Sequence, residues 1–550
     1  MKRWSMLILS VLLFAVVVLS GCSSDSGKGG ETAGSKSKSA VNPAGQFPIV
    51  NEKVNLKVLV KGNSSVEDFA TNEFTKWLEE KTNIHIQWEV APEKSATEKL
   101  NLVLSSGDYP DVIMGFGVSP TQMMIFGTQG VFLPLNKLID QYGVETKRMF
   151  QETPSSKDLI TAPDGNIYAL PQVNECYHCF LSQRMWIYKP WLDKLGLQMP
   201  TTTEEFYQVL KAFKTKDPNG NGKADEIPMA GDPINFRDGV DSFLMNSFIY
   251  NPADKRLYLD NGKVDVSFNK PAFKEGLKYL RMLYSEGLIS PLSFTQDANQ
   301  LKQMGESEVP ILGASSGHNM GAVATLNGKS GRWLQYVAVP PLKGPNGVQI
   351  AAYNPYSVSN GQYVITKSAK NPEAAFRLAD FLYNQETTLR SVQGRIGNEI
   401  RWAEKGEIGI NGKPAIWKQL VGWGQVQNVH WSQTGPSYRT SDLRLGEAAS
   451  PDQPLEPTLY KETKEKMEPY KVSVDKVLPP LFFTADQASE LADLDKVIND
   501  HVKEMIARFV TGDADLDKGW DAYVKNLDNM NLKRYLEIYQ TAYDAKFKKK

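Results

Sequence analysis

Cysteine and histidine are scarce in this chain, and neither sign of charge dominates. Three cysteines in 550 residues, Cys22, Cys176 and Cys179, exclude a scaffold built on disulfides. The five histidines, His85, His178, His318, His430 and His501, offer little for a multi-ligand zinc centre around Cys176 and Cys179. Lysine plus arginine number 62 against 63 acidic residues, so the basic face that a nucleic-acid partner requires is not expected. Past the first twenty residues no apolar run approaches the ~20 residues that span a bilayer. Neither a 20–50-residue repeat, nor a zincin His-Glu-x-x-His, nor a phosphate-binding Gly-rich lysine loop occurs.

What is present begins at the N-terminus. Lys2 and Arg3 precede an apolar run, Met6 to Leu19, broken at Ser10, and then come Leu19-Ser20-Gly21-Cys22. Small residues closing a short apolar segment form a secretory cleavage signal, and the run is too short for an uncleaved spanning helix. The last four residues resemble the lipobox of bacterial lipoproteins. That resemblance implies a signal peptide over 1–21 and a mature Cys22 carrying acyl chains such as palmitate. The protein would then sit lipid-anchored on the extracellular face of the cell membrane. Residues 22–50 open as a Ser/Gly/Lys/Ala tether without an aromatic residue as far as Pro43, a composition that cannot offset its own chain entropy.

The body that follows is long enough for more than one domain. Val54, Leu56, Val58 and Val60 alternate as in a strand, Ala70, Phe74, Trp77 and Leu78 follow helical spacing, and Ile84, Ile86, Trp88 and Val90 return to period two. With a helix-like stretch over Glu93–Leu104 and Val112-Ile-Met114 after it, the order is β-α-β-α-β, which implies a parallel sheet covered by helices. Ile167–Pro171 predicts a strand leaving this lobe. Thr202 and Glu205 form a capping box ahead of Phe206, Val209, Leu210 and Phe213. Pro271 opens a second helix with Phe273, Leu277, Leu280 and Tyr284 as its stripe and Gly287 as its stop, Asn371-Pro-Glu373 opens a third, and the tail from about Ala485 is helical and charged.

Gly107-Asp-Tyr-Pro-Asp-Val112, Tyr168-Ala-Leu-Pro171, Gly361-Gln-Tyr-Val-Ile-Thr366 and Asn371-Pro-Glu-Ala-Ala375 together resemble the extracellular solute-binding proteins of carbohydrate ABC importers (solute-binding family 1), especially the large Gram-positive lipoproteins. The resemblance implies a two-lobed α/β, periplasmic-binding-protein-like fold of type II, with a hinge and a ligand cleft between the lobes. Lobe 1 is expected over 51–170 plus about 346–400, and lobe 2 over 171–345 plus about 401–550. It also implies an oligosaccharide ligand, ABC permease subunits as partners, and a monomer.

The sharpest local motif is Asp217-Pro-Asn219-Gly-Asn221-Gly-Lys223-Ala-Asp225-Glu226. Oxygen side chains at positions one, three and five, with glycine at six, are the first half of an EF-hand loop. Pro228 stands where the bidentate Glu of an EF-hand belongs, which excludes an ordinary EF-hand sensor. Asp225 and Glu226 can close the site instead, with the Lys223 carbonyl as a further ligand. The resemblance supports a structural Ca2+ here, since related alginate- and oligosaccharide-binding proteins carry a calcium loop of this shape. A solvated Asn/Gly turn is the alternative.

Sugar rings stack on aromatic faces while their hydroxyls need side-chain hydrogen bonds. Trp423 to Arg439 combines both, with Trp423, Trp431, Tyr438 and Arg439 among Gln425, Gln427, Asn428, His430, Gln433 and Ser437. Tyr177, Arg184 and Trp186 form a second candidate group, and Tyr353 and Tyr356 a third. Arg184, Arg439 and Arg444 can pair with uronic acid carboxylates or make structural ion pairs, so the sugar stays open. Cys176 and Cys179 read as a small disulfide loop, with free thiols or a metal or redox site as alternatives. The rival functional classes are an exported polysaccharide-acting enzyme and a surface carbohydrate adhesin. The first is disfavoured because the aromatic loop holds no carboxylate before Asp442.

Overall fold

The structure is a computed structural model and describes residues 41–233, 237–252, 255–423 and 425–548. The leader, Cys22 and most of the tether lie outside the described residues. Val54–Lys61 pairs in parallel with Ile84–Ala91 and with Val112–Met114, as the alternating pattern predicts. Leu59 is nevertheless buried as well as Val58 and Val60, because helices cover both faces of this sheet. The intervening helix, Glu73–Thr82, starts where the Asn72 side chain accepts from the Phe74 N–H and ends at Asn83 in the left-handed region (φ 58°). Ala70 lies ahead of it, outside the helical turn.

Three further strands complete this first sheet. Leu170–Asn174 and Val358–Ile365 run antiparallel to each other, and Tyr438–Arg439 adds an edge beside Leu170–Asn174. Pro372–Leu382 packs on it through Ala375, Leu378, Ala379 and Leu382.

The second lobe has a four-stranded sheet of Tyr336–Val339, Arg184–Tyr188, Leu312–Gly317 and Ile227–Ala230, in that order. The Thr202–Glu205 capping box starts the helix Thr203–Thr215, whose Phe206, Val209, Leu210 and Phe213 are buried in this lobe's core. Pro271–Ser285 buries Phe273, Leu277, Leu280 and Leu283, with Tyr284 turned partly outward onto Phe294. The tail folds into Ala485–Thr511, Leu516–Asn529 and Leu532–Phe547, which enter the same core.

The chain therefore passes between the sheets three times: from Asn174 to Arg184, from Val339 to Val358, and from Arg439 towards the Leu455–Glu462 helix. The third passage corrects the expected boundary near residue 400. Trp431 and Tyr438 belong to the first lobe's core, and Tyr438–Arg439 hydrogen-bond in its sheet. A two-residue strand set among glycine, proline and amides carries no period by which sequence could have placed it. Phe482, from the segment ahead of the long tail helix, inserts into a first-lobe cluster with Ile113 and Phe132, so the tail touches both lobes.

Candidate functional site

The first passage between the lobes is tightly wound. Asn174 ends its strand, and Cys176 and Cys179 close a disulfide around Tyr177 and His178. Arg184 lies beneath this turn, fully buried, and donates to the carbonyls of His178 and His318 and to the Thr463 hydroxyl. It ties the disulfide turn to the end of the Leu312–Gly317 strand and to the helical segment after Leu455–Glu462. Burial pulls its pKa down to about 9, which leaves it charged at neutral pH.

Above this brace lies a cavity of about 330 Å³. The first lobe contributes Asn174, Gln393, Gln433 and Arg439, and the second contributes His318, Asn319, Asn327 and Glu456. Trp423 forms part of the wall, stacked at 6.3 Å and 19° on His430, while its carbonyl accepts from Asn327. Five buried polar atoms on four of these side chains have no partner among the described residues. They are Asn174 Oδ1, Gln393 Oε1, Trp423 Nε1, and Arg439 Nε and Nη1. Two are acceptors and three are donors, and buried groups of this kind are rarely left unmatched.

Charges at the floor are arranged in a chain. Glu456 accepts from Arg444 at 2.8 Å and lies 3.5 Å from His178 Nδ1. Burial alone would raise the Glu456 carboxyl, yet the guanidiniums of Arg444 and Arg439 hold it below its usual range. Glu447 moves the other way, raised above the usual carboxylate range by burial and by the Glu456 charge. Burial lowers His178 to about 4 against the pull of Glu456, which keeps the ring neutral at pH 7.

The expected site residues separate on this geometry. Trp423 and Arg439 both line the cavity, whereas Arg184 does not, although it donates to the carbonyls of the lining residues His178 and His318. Tyr177 points away, its hydroxyl donating to Glu468 and its ring packed on Tyr460. Tyr353 lines a second cavity, about 440 Å³, that shares only Cys179 with the first. Tyr356 packs with Tyr250 and Val472 instead. Three expectations of an open stacking face are corrected. Trp186 is wholly buried in the second core and donates to the Gly317 carbonyl, Trp431 is buried against Phe74 and Trp88, and the buried Tyr438 shares a hydrogen bond with Thr153. Sequence reasoning missed Asn174, Gln393 and the adjacent pair His318 and Asn319, which stand at or just past the ends of elements.

The expectation that no Gly-x-Ser-x-Gly spacing occurs in the chain is corrected. Gly313-Ala-Ser315-Ser-Gly317 has the spacing of a nucleophile elbow. It forms a strand inside the second sheet, not a strand-to-helix turn, and Ser315 Oγ donates to the neighbouring Ser316 carbonyl.

The Asp217–Glu226 loop joins the helix Thr203–Thr215 to the strand Ile227–Ala230. Asp217 takes a left-handed φ of 45°, and its carboxylate accepts the N–H groups of Gly220, Asn221 and Gly222. The amides of Asn219 and Asn221 both donate to Asp225, and Glu226 Oε1 is buried without a partner among the described residues. Three carboxylates, one of them with an orphaned oxygen, and two amides gathered in ten residues are a donor set that suits a hard cation.

Residues 61–388 match the family model described as bacterial extracellular solute-binding protein. The chain belongs to that family. This solute-binding protein is 31% identical over 522 residues to the fructooligosaccharide ABC transporter substrate-binding protein FusA of Streptococcus pneumoniae, covering 90% of this chain and 91% of that one. Solved structures of FusA, one in complex with kestose and one an EF-hand mutant in complex with fructo-nystose, superpose with a TM-score of 0.77 at 29% identity, over 89% of this chain and 99% of theirs. A solute-binding protein from Bifidobacterium longum infantis, described as binding HMO, gives a TM-score of 0.74 at 25% identity, over 90% and 99%. The fold is thus the two-lobed solute-binding fold. The family is one of binding components, which sets the hydrolase reading aside.

Proposed function

We propose that the protein captures an oligosaccharide in the cavity around Trp423 and Arg439 and passes it to the permease subunits of an ABC importer. The observation that carries this reading is one cavity lined from both lobes by Trp423 and by the polar side chains of Asn174, Gln393, Gln433, Arg439, His318, Asn319 and Asn327. The sugar-binding relatives support it. Trp423 supplies the apolar face on which a ring stacks, and the amides supply hydroxyl partners. The Asp217–Glu226 loop holds one calcium ion through Asp217, Asn219, Asn221, the Lys223 carbonyl, Asp225 and Glu226. There the ion neutralises a carboxylate cluster and fixes the helix-to-strand connection. No step of solute binding passes through it.

Cys22 anchors the mature chain by lipid to the outer face of the membrane. No helix of the described residues is long and apolar enough to cross one. Mass spectrometry of the membrane-bound protein that finds an intact leader with unmodified Cys22 would sink the anchor. Calorimetry and thermal melts with a panel of oligosaccharides test the capture itself. The bound sugar should raise the melting temperature and be recovered intact, whereas cleavage products or no response to any glycan would refute it.

A further inference from the structure

The turn that opens the first passage between the lobes gathers three metal-ligating side chains. The sulfurs of Cys176 and Cys179 and a ring nitrogen of His178 all lie within 4.8 Å of one another. His178 Nε2 stands 3.4 Å from Cys176 Sγ, and its Nδ1 lies 3.5 Å from the Glu456 carboxylate. That carboxylate fixes the ring proton on Nδ1. The Nε2 lone pair is then aimed at a sulfur that, in a disulfide, has no proton to give.

The spacing suits tetrahedral zinc. Zn–S of about 2.3 Å and Zn–N of about 2.0–2.1 Å put two such ligands ~3.6 Å apart, close to the Cys176–His178 separation. Two sulfurs belong ~3.8 Å apart, which thiolates can adopt and a disulfide cannot. The turn also has supports other than the bridge. The Cys179 and Phe180 N–H groups donate to the Cys176 carbonyl, the Cys176 N–H donates to the Asn174 carbonyl, and Arg184 holds the His178 carbonyl. Charges balance as well: two thiolates match a divalent ion, and Glu456 matches Arg444, whose Nη2 lies 3.5 Å from Cys176 Sγ. Cys176 is buried, but Cys179 is exposed and lines both cavities, so a reductant can reach the bridge there.

We propose that Cys176, His178 and Cys179, in the dithiol form of the pair, bind one zinc ion, so that this turn holds either a disulfide or a metal. A dithiol reductant gives up two electrons and two protons and closes to its own disulfide, while Cys176 and Cys179 become thiols. Zn2+ then displaces those two protons and is held by both thiolates and His178 Nε2. Glu456 orients the ring from its far nitrogen, as carboxylates do at zinc-bound histidines. With three protein ligands the fourth position is left to water, which reaches His178 and Cys179 through the cavity they line. Sulfur and imidazole donors set this site apart from the oxygen-only Asp217–Glu226 loop.

Cobalt, a spectroscopic stand-in for zinc, tests this on the full mature chain carrying Cys22→Ser, which leaves the pair as its only thiols. Excess calcium keeps Co2+ off the Asp217–Glu226 loop. The reductant is a phosphine, since a dithiol would compete for the ion. Each phosphine becomes its oxide with the oxygen of one water, whose two protons end on the two sulfurs. The reduced protein should take up one Co2+ with a thiolate-to-cobalt charge-transfer band, and one equivalent of Zn2+ should erase it. The disulfide form should show no such band. Cys179→Ser and His178→Gln should each weaken Co2+ binding roughly tenfold or more, the least that losing even an orienting partner costs such a site. A reduced protein without the band overturns the proposal, and so does a band of equal strength and affinity in His178→Gln. Unfolding on reduction, read from the melting curve, also overturns it, because the three ligands are then no longer gathered.

Discussion

Trp423 and Trp431 stand eight residues apart in one aromatic, amide-rich stretch, and the fold gives them opposite tasks. Trp423 stands in the cavity wall with its indole N–H unpartnered, whereas Trp431 donates to Thr75 Oγ1 at 2.9 Å and packs edge-on against Phe74 and Trp88. Sequence could not separate them, because the difference lies in partners some 350 residues away along the chain. Trp423→Ala should weaken sugar binding by ~1–3 kcal/mol, the scale of burying one large apolar side chain. Trp431→Ala should instead cost ~3–5 kcal/mol of stability through the hole it leaves, and the folded fraction should keep wild-type affinity. Calorimetry and denaturant unfolding on both variants distinguish the two fates. Equal affinity losses would mean that the assignment is wrong.

His430 supplies a pH test at the same scale. Its Nδ1 accepts the Ser432 N–H at 3.1 Å, and burial lowers its pKa to about 4 against the opposing pull of Glu399. The unfolded chain, with a histidine near pH 6.5, therefore takes up this proton first. The contribution is fully present above ~6.5 and is lost as the pH falls towards 4, at up to ~1.4 kcal/mol per pH unit. His430→Gln should lose less stability than wild type between pH 6.5 and 4.5. Parallel unfolding curves at the two pH values would contradict this.

At the scale of elements, legibility followed local chemistry. The Thr202–Glu205 box was readable because its two caps are three residues apart, and the Pro271 and Pro372 starts because a proline fits the first turn of a helix. The Tyr438–Arg439 strand was not, since its ladder partners, Val173 and Asn174, are remote in sequence. The Asp217–Glu226 loop belongs to the first kind, its turn being built from its own side chains. It joins a core helix to a sheet strand, so an ion that binds only the folded loop stabilises the lobe by RT ln(1 + [L]/Kd), or ~2.7 kcal/mol at a hundredfold excess. Chelation should lower the melting temperature, and Asp217→Ala should abolish most of that response. Identical melts of the demetallated wild type in EDTA and in excess calcium would reduce the loop to a plain turn.

For the whole molecule, the β-α-β alternation sufficed to predict a parallel, helix-covered sheet, and the tail helices declared themselves by period. The number of passages between lobes depends on which strands pair, and pairing is set by tertiary packing that one sequence does not display. Three passages and a tail that inserts Phe482 into the first lobe join the two lobes along one seam, about which a pivot is the motion to test. A solute can drive that pivot only by binding the closed state better than the open one. The cavity has the means, because Asn174 and Arg439 come from one lobe and His318, Asn319 and Asn327 from the other. A ligand bridging them gains contacts on closure that neither lobe offers alone, and the closed shape can report occupancy to a permease. X-ray scattering should then show a smaller radius of gyration with saturating sugar than without, against a compact-fold value of roughly 24 Å for a chain of this size. Trp423→Ala should require more sugar to reach the same closed profile. Superimposable profiles at saturation, with binding verified by calorimetry in the same buffer, would exclude closure as the signal.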